Sequence, residues 1–323
     1  MDLRLRFEAA ERALELGDWD QATERYHALW LEDGGSGDSV AGWARSLLGA
    51  GRPESALAVL LPARDSFDSA ELASLRGQAL EQMDRPVGAR EAYAQALAFD
   101  PERFDALEGL GRSLASSGDL AGAAPLLLRA ARLRPPASAR RAAQAAGASG
   151  LEEIELEALA VLAGAGVASA SELVRAAELL EKSMGSDPVR GAQAEAWLSH
   201  AVELDPQASR AWTALGRLRA ARGAAGLAAT AHERAIEADP AATESLLALA
   251  AHCMQSGREA RARSLIDHAL GFVTDAEARR PFEQLLEPPA EEPSEKEEAS
   301  ENGWGSEEPG PLDQGPADPG GAR

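Results

Sequence analysis

A small residue recurs about every 34 positions along this chain, and that spacing restricts its fold more than any other feature. The clearest case is Gly216, which lies inside the segment AWTALGRLRAARGAAGLAATAHERAIEADP, residues 211–240. Matching small residues stand at Ala10, Ala44, Gly77, Gly111 and Ala250. A unit of about 34 residues cannot bury its own apolar face, so the repeat predicts a row of units packed one on the next.

The interval from Gly111 to Gly216 is 105 residues, which leaves room for three units. We call these recurring small residues the markers. Weaker markers at Ala145 and Ala177 divide the interval of 105 residues. The spacing therefore predicts eight units, six of them clear, in one elongated array and not in two or three globular domains.

The pattern inside a unit resembles that of the tetratricopeptide repeat (TPR) family. In the segment 211–240 the matching residues are Trp212, Leu215, Gly216, Ala228, His232, Ala235 and Pro240. The first unit has Gly17-Asp18-Trp19 followed by Ala22 and Tyr26. The resemblance implies an all-α fold, a TPR-type right-handed solenoid of antiparallel helical hairpins in which the small residues let helices approach closely.

The units predict an order of segments along the chain. Units one to four occupy residues 1–135, a degenerate fifth unit residues 136–170, units six to eight residues 171–274 and a capping helix residues 275–287. The fifth unit contains glycines at 147–150 and 164–166, which make it a candidate hinge, and unit six carries a longer turn at 185–191. The prolines expected to end units are Pro101, Pro135, Pro206 and Pro240.

Residues 288–323 differ from the rest in composition and are predicted to be a disordered acidic tail. From Glu287 onward there are 11 acidic and 2 basic residues, many Pro and Gly, and no aliphatic cluster. Such a segment cannot bury enough apolar area to offset the entropy of ordering its chain. Trp304 stands within it between two glycines, either as an incidental residue or as a short anchor for a partner.

Charge and cysteine content exclude several classes of function and site. With 32 Lys and Arg against 53 Asp and Glu, the net charge of −21 argues against nucleic-acid binding, which needs cations to replace counterions at phosphates. The single cysteine, Cys253, excludes an intrachain disulfide and favours a reducing compartment. Because no apolar stretch reaches the length of a signal peptide core or a membrane span, we expect a soluble, cytoplasmic protein.

Motifs for catalysis, cofactors and metals are missing from the sequence. It contains no Walker loop, GxGxxG, HExxH, GxSxG or CxxC, so we expect a noncatalytic protein with no cofactor and no metal. The five histidines fall on separate predicted helices, and His232 occupies an aromatic core position. An enzyme with an unfamiliar site in residues 136–191 is the least favoured alternative.

The resemblance implies that the first helix of each unit lines a concave groove. The residues expected to project there, one position after the marker or on the same face, include Arg45, Arg112, Arg210 and Arg217. We hypothesise that they form a partial basic stripe that receives an acidic or carboxylate-bearing peptide; the alternative is that they only keep the groove soluble. A carboxylate clamp of the kind that holds chaperone C-termini uses Lys and Asn, and is disfavoured because Lys182 is the only helical lysine and Asn302 the only asparagine.

These observations predict a scaffold or adaptor that binds a peptide or protein in the groove, together with Trp304 and the acidic tail as a modulating segment. The alternative is a regulatory subunit or assembly factor that presents a client to an enzyme or to an envelope or secretion machine. A TPR-like fold alone does not decide between these functions.

Overall fold

The computed structural model describes residues 3–63, 69–184 and 187–286, and in these ranges it contains 17 α-helices and no β-strand. The predicted tail and Trp304 lie outside the described residues. The helices pair into eight consecutive antiparallel hairpins followed by one further helix: α1 (Leu3–Glu15) and α2 (Trp19–Glu32), α3 (Gly37–Gly49) and α4 (Pro53–Ala63), α5 (Ala70–Gln82) and α6 (Pro86–Phe99), α7 (Phe104–Ser116) and α8 (Leu120–Leu133), α9 (Ala137–Ala148) and α10 (Glu152–Gly164), α11 (Ala170–Met184) and α12 (Pro188–Leu204), α13 (Ser209–Ala221) and α14 (Ala225–Ala238), α15 (Thr243–Gln255) and α16 (Glu259–Leu270), and α17 (Ala276–Leu286). The all-α fold of repeated hairpins is thus confirmed.

Contacts between hairpins show which helices lie on the inner side of the array. Each helix packs on the next one in sequence, and first helices also pack on first helices, as in α1 with α3, α3 with α5, α5 with α7, α11 with α13, and α13 with α15. The first helices therefore form the inner surface. Between the fourth and fifth hairpins the second helices approach as well, since α8 packs on α10. At the C-terminal end α17 covers α15 and α16.

The helix ends follow from local sequence. In every hairpin whose turn is fully described, the chain reverses through a residue of positive φ, for example Gly118 (89°) in the fourth hairpin and Asp84 (54°) in the third. Three units end in Asp-Pro, and there the aspartate Oδ1 accepts the backbone N–H two residues on, over 2.9–3.0 Å. The prolines begin the turn to the next unit, as the sequence predicts.

The core explains why the marker positions are small. Sixteen residues after a marker stands a large buried side chain of the second helix: Tyr26, Leu60, Tyr93, Leu127, His232 and Ile266. A Cβ on Gly77 would lie 2.6 Å from the Tyr93 ring, and one on Gly216 would lie 2.6 Å from His232. These glycines leave the space that the large side chain fills.

Tyr93 also reaches the next hairpin. A Cβ on Gly109, in α7, would overlap the far side of the Tyr93 ring, and Gly42 in α3 has the same relation to Tyr26. Tyr93 is 1% exposed, so its ring is enclosed between its own first helix and the following one. One hairpin thus provides part of the core of the preceding hairpin.

The segment predicted to be degenerate, residues 136–170, contains the hairpin of α9 and α10. Most of its buried apolar side chains, among them Ala142, Leu159 and Leu162, belong to one apolar cluster that runs from α8 to α14. The hinge expected here stays a prediction. Within residues 3–286, apart from the gaps at 64–68 and 185–186, every helix is too short or too polar to traverse a bilayer.

Replacing Gly109 by alanine should destabilise the array. The added methyl group meets the Tyr93 ring, which Gly77 blocks on its other side, so we expect the free energy of unfolding to fall by about 1–3 kcal/mol. Urea denaturation followed by circular dichroism measures this. The matched control is Gly226→Ala in α14, where no atom lies within 4 Å of the new Cβ, and stability should be unchanged or raised by up to about 1 kcal/mol. Equal effects of the two substitutions would contradict the enclosed-ring packing.

Candidate functional site

Arg–Glu ion pairs cross the inner surface between successive first helices. From α3 to α15 every such junction has at least one pair, and we call the set the charge ladder: Arg45–Glu71, Glu81–Arg112, Glu108–Arg141, Arg140–Glu172, Glu178–Arg210, Glu181–Arg217 and Arg217–Glu244. Such pairs form because stacking brings residues some 26–36 positions apart in sequence onto adjacent helices.

All four arginines predicted to line the groove belong to the charge ladder. Arg45 bonds to Glu71. The Nη2 of Arg112 donates to both carboxylate oxygens of Glu81, at 2.8 and 2.9 Å. Arg210 bonds to Glu178 through Nε (2.9 Å) and Nη2 (2.7 Å), and Arg217 joins Glu181 (2.8 Å) to Glu244 (3.1 Å).

Ion pairing shifts the pKa values of several ladder residues. Burial lowers the pKa of Arg217, but its bonds to Glu181 and Glu244 raise it overall. The hydrogen bond from Arg140 lowers the pKa of Glu172 against the opposing effect of burial. These groups therefore stay charged near neutral pH. The inner surface has alternating charge, where the sequence predicted a basic stripe.

Two adjoining cavities, of 470 and 560 Å³, lie on the inner side between α5, α7 and α9, and we call them together the central groove. They share Glu81 and Arg112. The other side chains that line them include Gln78, Gln82, Phe104, Glu108, Ser116, Arg141 and Gln144.

Glu81 is held from two sides at the middle of the central groove. The Tyr93 hydroxyl donates to Glu81 Oε2 at 2.8 Å, beside the two bonds from Arg112. Burial, and then the charge of Glu81, raises the pKa of Tyr93, so this hydroxyl remains a donor. The carboxylate thus links the core ring of the third hairpin to the surface of the fourth.

Several side chains of the central groove have hydrogen-bonding groups that no other described residue occupies. The side chains of Gln78, Gln82 and Gln144 make no hydrogen bond to another described residue. Arg112 bonds to Glu81 only through Nη2, and Arg141 to Glu108 only through Nη1. Amide side chains can both donate to and accept from a peptide backbone, while the remaining guanidinium N–H groups suit a carboxylate. The central groove thus offers a ligand both hydrogen-bonding amides and guanidinium donors.

Sequence reasoning missed Arg140, Arg141 and most of the paired glutamates, because it considered mainly the position after each marker. Gln78 and Glu178 were expected on the groove face as interruptions of the arginine row, but Gln82 and Gln144 were missed. Among the described residues no group of His, Cys, Asp and Glu is arranged to hold a metal ion.

His232 is a core residue, as its position in the repeat suggests. It is 3% exposed, and its Nδ1 lies 3.1 Å from the Ser245 hydroxyl, which is 2.8 Å from the Thr213 hydroxyl. Burial lowers the pKa of His232, with Glu244 raising it and Arg217 lowering it further. The folded state therefore favours the neutral imidazole.

Acid should weaken the junction between the seventh and eighth hairpins. Below the ordinary histidine pKa of about 6.5 the unfolded chain takes up a proton that folded His232 resists, so stability should fall as the pH drops from 7.5 to 5.5. Thermal unfolding across this range measures the effect. A His232→Leu variant, which has the side chain found at Leu127 in the fourth hairpin, should lose part of the pH dependence. An identical pH profile for both proteins would contradict the assignment.

Two family models of the tetratricopeptide repeat match the sequence, one over residues 13–79 and the other over residues 75–138. No curated protein matches the chain. Three solved structures illustrate the structural similarity. YrrB, described as a TPR protein with an unusual peptide-binding site, is 17% identical, with a TM-score of 0.46 over 60% of this chain and 99% of its own.

The complex of Naa15 and Naa10 bound to HypK-THB gives 16% identity and a TM-score of 0.45 over 90% of this chain, which spans under half (45%) of the matched chain. A tetratricopeptide repeat protein from Parabacteroides merdae gives 14% and 0.41, over 76% of this chain and 97% of its own.

Proposed function

Because this chain is a tetratricopeptide repeat protein, we propose that it is a noncatalytic scaffold or adaptor that binds a peptide segment of a partner protein in the central groove. Repeat arrays of this kind present extended concave surfaces to other proteins. The observation that supports the proposal best is the set of uncommitted amides and guanidinium N–H groups around Glu81 and Arg112. We also propose a cytoplasmic location, because a single, buried cysteine, Cys253, is typical of a protein from a reducing compartment.

The proposed ligand is an extended segment that carries at least one carboxylate. Gln78, Gln82 and Gln144 would bond to its backbone groups along the first helices α5 and α9. Its carboxylate would lie between Arg112 and Arg141, on the N–H groups that the ladder leaves over. Phe104, half-buried at the edge of the groove, offers an apolar contact.

The charge ladder alters the basic-stripe hypothesis. Since every predicted arginine already pairs with a glutamate, a ligand carboxylate must share the arginine with it. Arg217 uses both terminal nitrogens for Glu181 and Glu244, and Arg210 uses Nε and Nη2 for Glu178. We therefore place the recognition of an acidic ligand at Arg112 ahead of Arg210 and Arg217, and ahead of Arg45 because Arg112 lines the central groove.

Exchanging the members of one ladder pair tests this assignment. In the double variant Glu81→Arg, Arg112→Glu the ion pair between α5 and α7 can still form, but the positive charge moves to the other helix. Peptides selected on the wild-type protein from a random display library serve as probes. Their affinity, measured by calorimetry, should fall about tenfold or more, because the carboxylate loses a charge-assisted bond worth roughly 1.5–3 kcal/mol.

The matched control exchanges a pair on second helices, Arg132→Glu with Glu157→Arg, which joins α8 to α10 outside the central groove. This variant should bind the peptides as the wild type does. If both exchanges leave affinity unchanged, or both reduce it equally, the central groove is not the binding site.

The acidic tail is proposed to modulate the groove by competing with the partner. Residues 288–323 carry carboxylates and Trp304 on the same chain, so they would act at an effective concentration on the order of 1 mM. Ending the chain after Glu287 should raise the affinity for the selected peptides about tenfold, and Trp304→Ala in the full chain should raise it by less. Calorimetry with the same peptides measures both. Unchanged affinity after truncation would indicate a linker, and reduced affinity would make the tail part of the binding element.

A further inference from the structure

The helices of the sixth hairpin are longer than those of the other hairpins. Its helices α11 and α12 have 15 and 17 residues, whereas the third, fourth and seventh hairpins each pair a helix of 13 residues with one of 14. Three extra residues lengthen α12 by about 4.5 Å at 1.5 Å per residue. The insertion expected in the turn 185–191 is therefore partly helical.

Beside this hairpin a cavity of 620 Å³ opens between α10 and α12, above α11. We call it the outer groove. Its apolar lining comes from Leu156 and Ala160 on α10, Leu180 on α11 and Trp197 on α12. Leu180 is buried, while Leu156 and Trp197 are only partly buried and pack on the main apolar cluster. An apolar surface is thus continuous with the core and accessible at the bottom of the groove.

The arrangement of the lining residues makes the groove a trough that can accommodate an α-helix. On α10 they stand at 152, 153, 156, 157 and 160, and on α12 at 190, 193 and 197, so each wall is a stripe along one face of a helix. Eight residues of α10 span about 12 Å, or roughly two helical turns. A helix lying along α10 and α12 would pack its ridge between them.

Charge at the rim indicates which kind of helix fits. Lys182 pairs with Glu152, and Arg190 lies 3.7 Å from Asp187. Glu153, exposed at the same end, has no partner among the described residues. The uncompensated rim charge is therefore negative, on a chain whose net charge is −21.

We propose that the outer groove binds a basic amphipathic α-helix of a partner protein. Two turns of its apolar stripe pack on Leu156, Ala160 and Trp197, and a Lys or Arg on its flank pairs with Glu153. This site is separate from the central groove and does not depend on the function proposed for it. It gives the scaffold a second docking surface, between the second helices α10 and α12, with α11 at its base.

A synthetic helix of Leu and Lys with a 3.6-residue apolar period tests the proposal, and a peptide of the same composition with scrambled order is its control. Fluorescence anisotropy with the full chain should show binding of the periodic peptide and much weaker binding of the scrambled one. Ala160→Arg, which fills the groove, should weaken binding about tenfold, and Glu153→Lys about threefold or more. Glu54→Lys, the same charge change at an exposed, unpaired position on α4, should stay within about twofold of wild type.

A photoreactive version of the periodic peptide locates the site directly. Cross-links to residues 153–160 and 193–197 support the proposal. Cross-links to Gln78 or Arg112 instead, equal binding of the scrambled peptide, or equal affinity in Ala160→Arg and Glu54→Lys would overturn it. Self-association of the chain in sedimentation that Ala160→Arg abolishes would also overturn it, because the occupant would then be a second copy.

Discussion

The array depends on one close contact, in which a large side chain of a second helix enters the space left by small residues of two first helices. Tyr93 shows it most completely, with Gly77 on one side of its ring and Gly109, from the next hairpin, on the other. Interiors pack too densely for a methyl group to be added there without displacing the ring. Because the second glycine belongs to the next hairpin, a hairpin of this kind is incomplete until its successor has packed on it. Because every hairpin has to meet this requirement, small residues recur in the sequence about every 34 positions.

Stacking of this kind places the first helices side by side and so determines the chemistry of the inner surface. Arginine and glutamate meet across each junction from α3 to α15, and because exposed pairs contribute at most about 1 kcal/mol each, each pair of the charge ladder adds little to stability. The ladder pairs each of its arginines with a glutamate. Guanidinium N–H groups of Arg112 and Arg141 that the ladder does not use lie beside the three glutamines of the central groove. Glu81, bonded to both Tyr93 and Arg112, connects the packing of the core with the proposed binding groove.

Much of the fold could be predicted from the sequence, and less of the candidate site. The markers and closing prolines predicted helical hairpins, and the register of His232 indicated a core residue; both agree with the structure. The position of Arg112 on a first helix was also predictable, but its partner Glu81 was not, since that pairing depends on the angle between successive hairpins, which a period does not specify. For the same reason Gly109 escaped notice, because its contact is with the preceding hairpin. The outer groove depends on how far α12 extends, and the sequence indicated only a longer turn.

The central claim, that hairpins complete one another, is tested most directly by comparing one hairpin with a short array. Circular dichroism and thermal unfolding should be measured on residues 209–242, which hold α13 and α14 alone, and on residues 170–286, which hold α11 to α17. The account predicts that the single hairpin is largely unfolded at 20–25 °C, while the longer fragment is helical and melts cooperatively, because about three repeats are needed to bury a continuous core. A single hairpin with as much helix per residue as the longer fragment, melting in its own sharp transition, would contradict it.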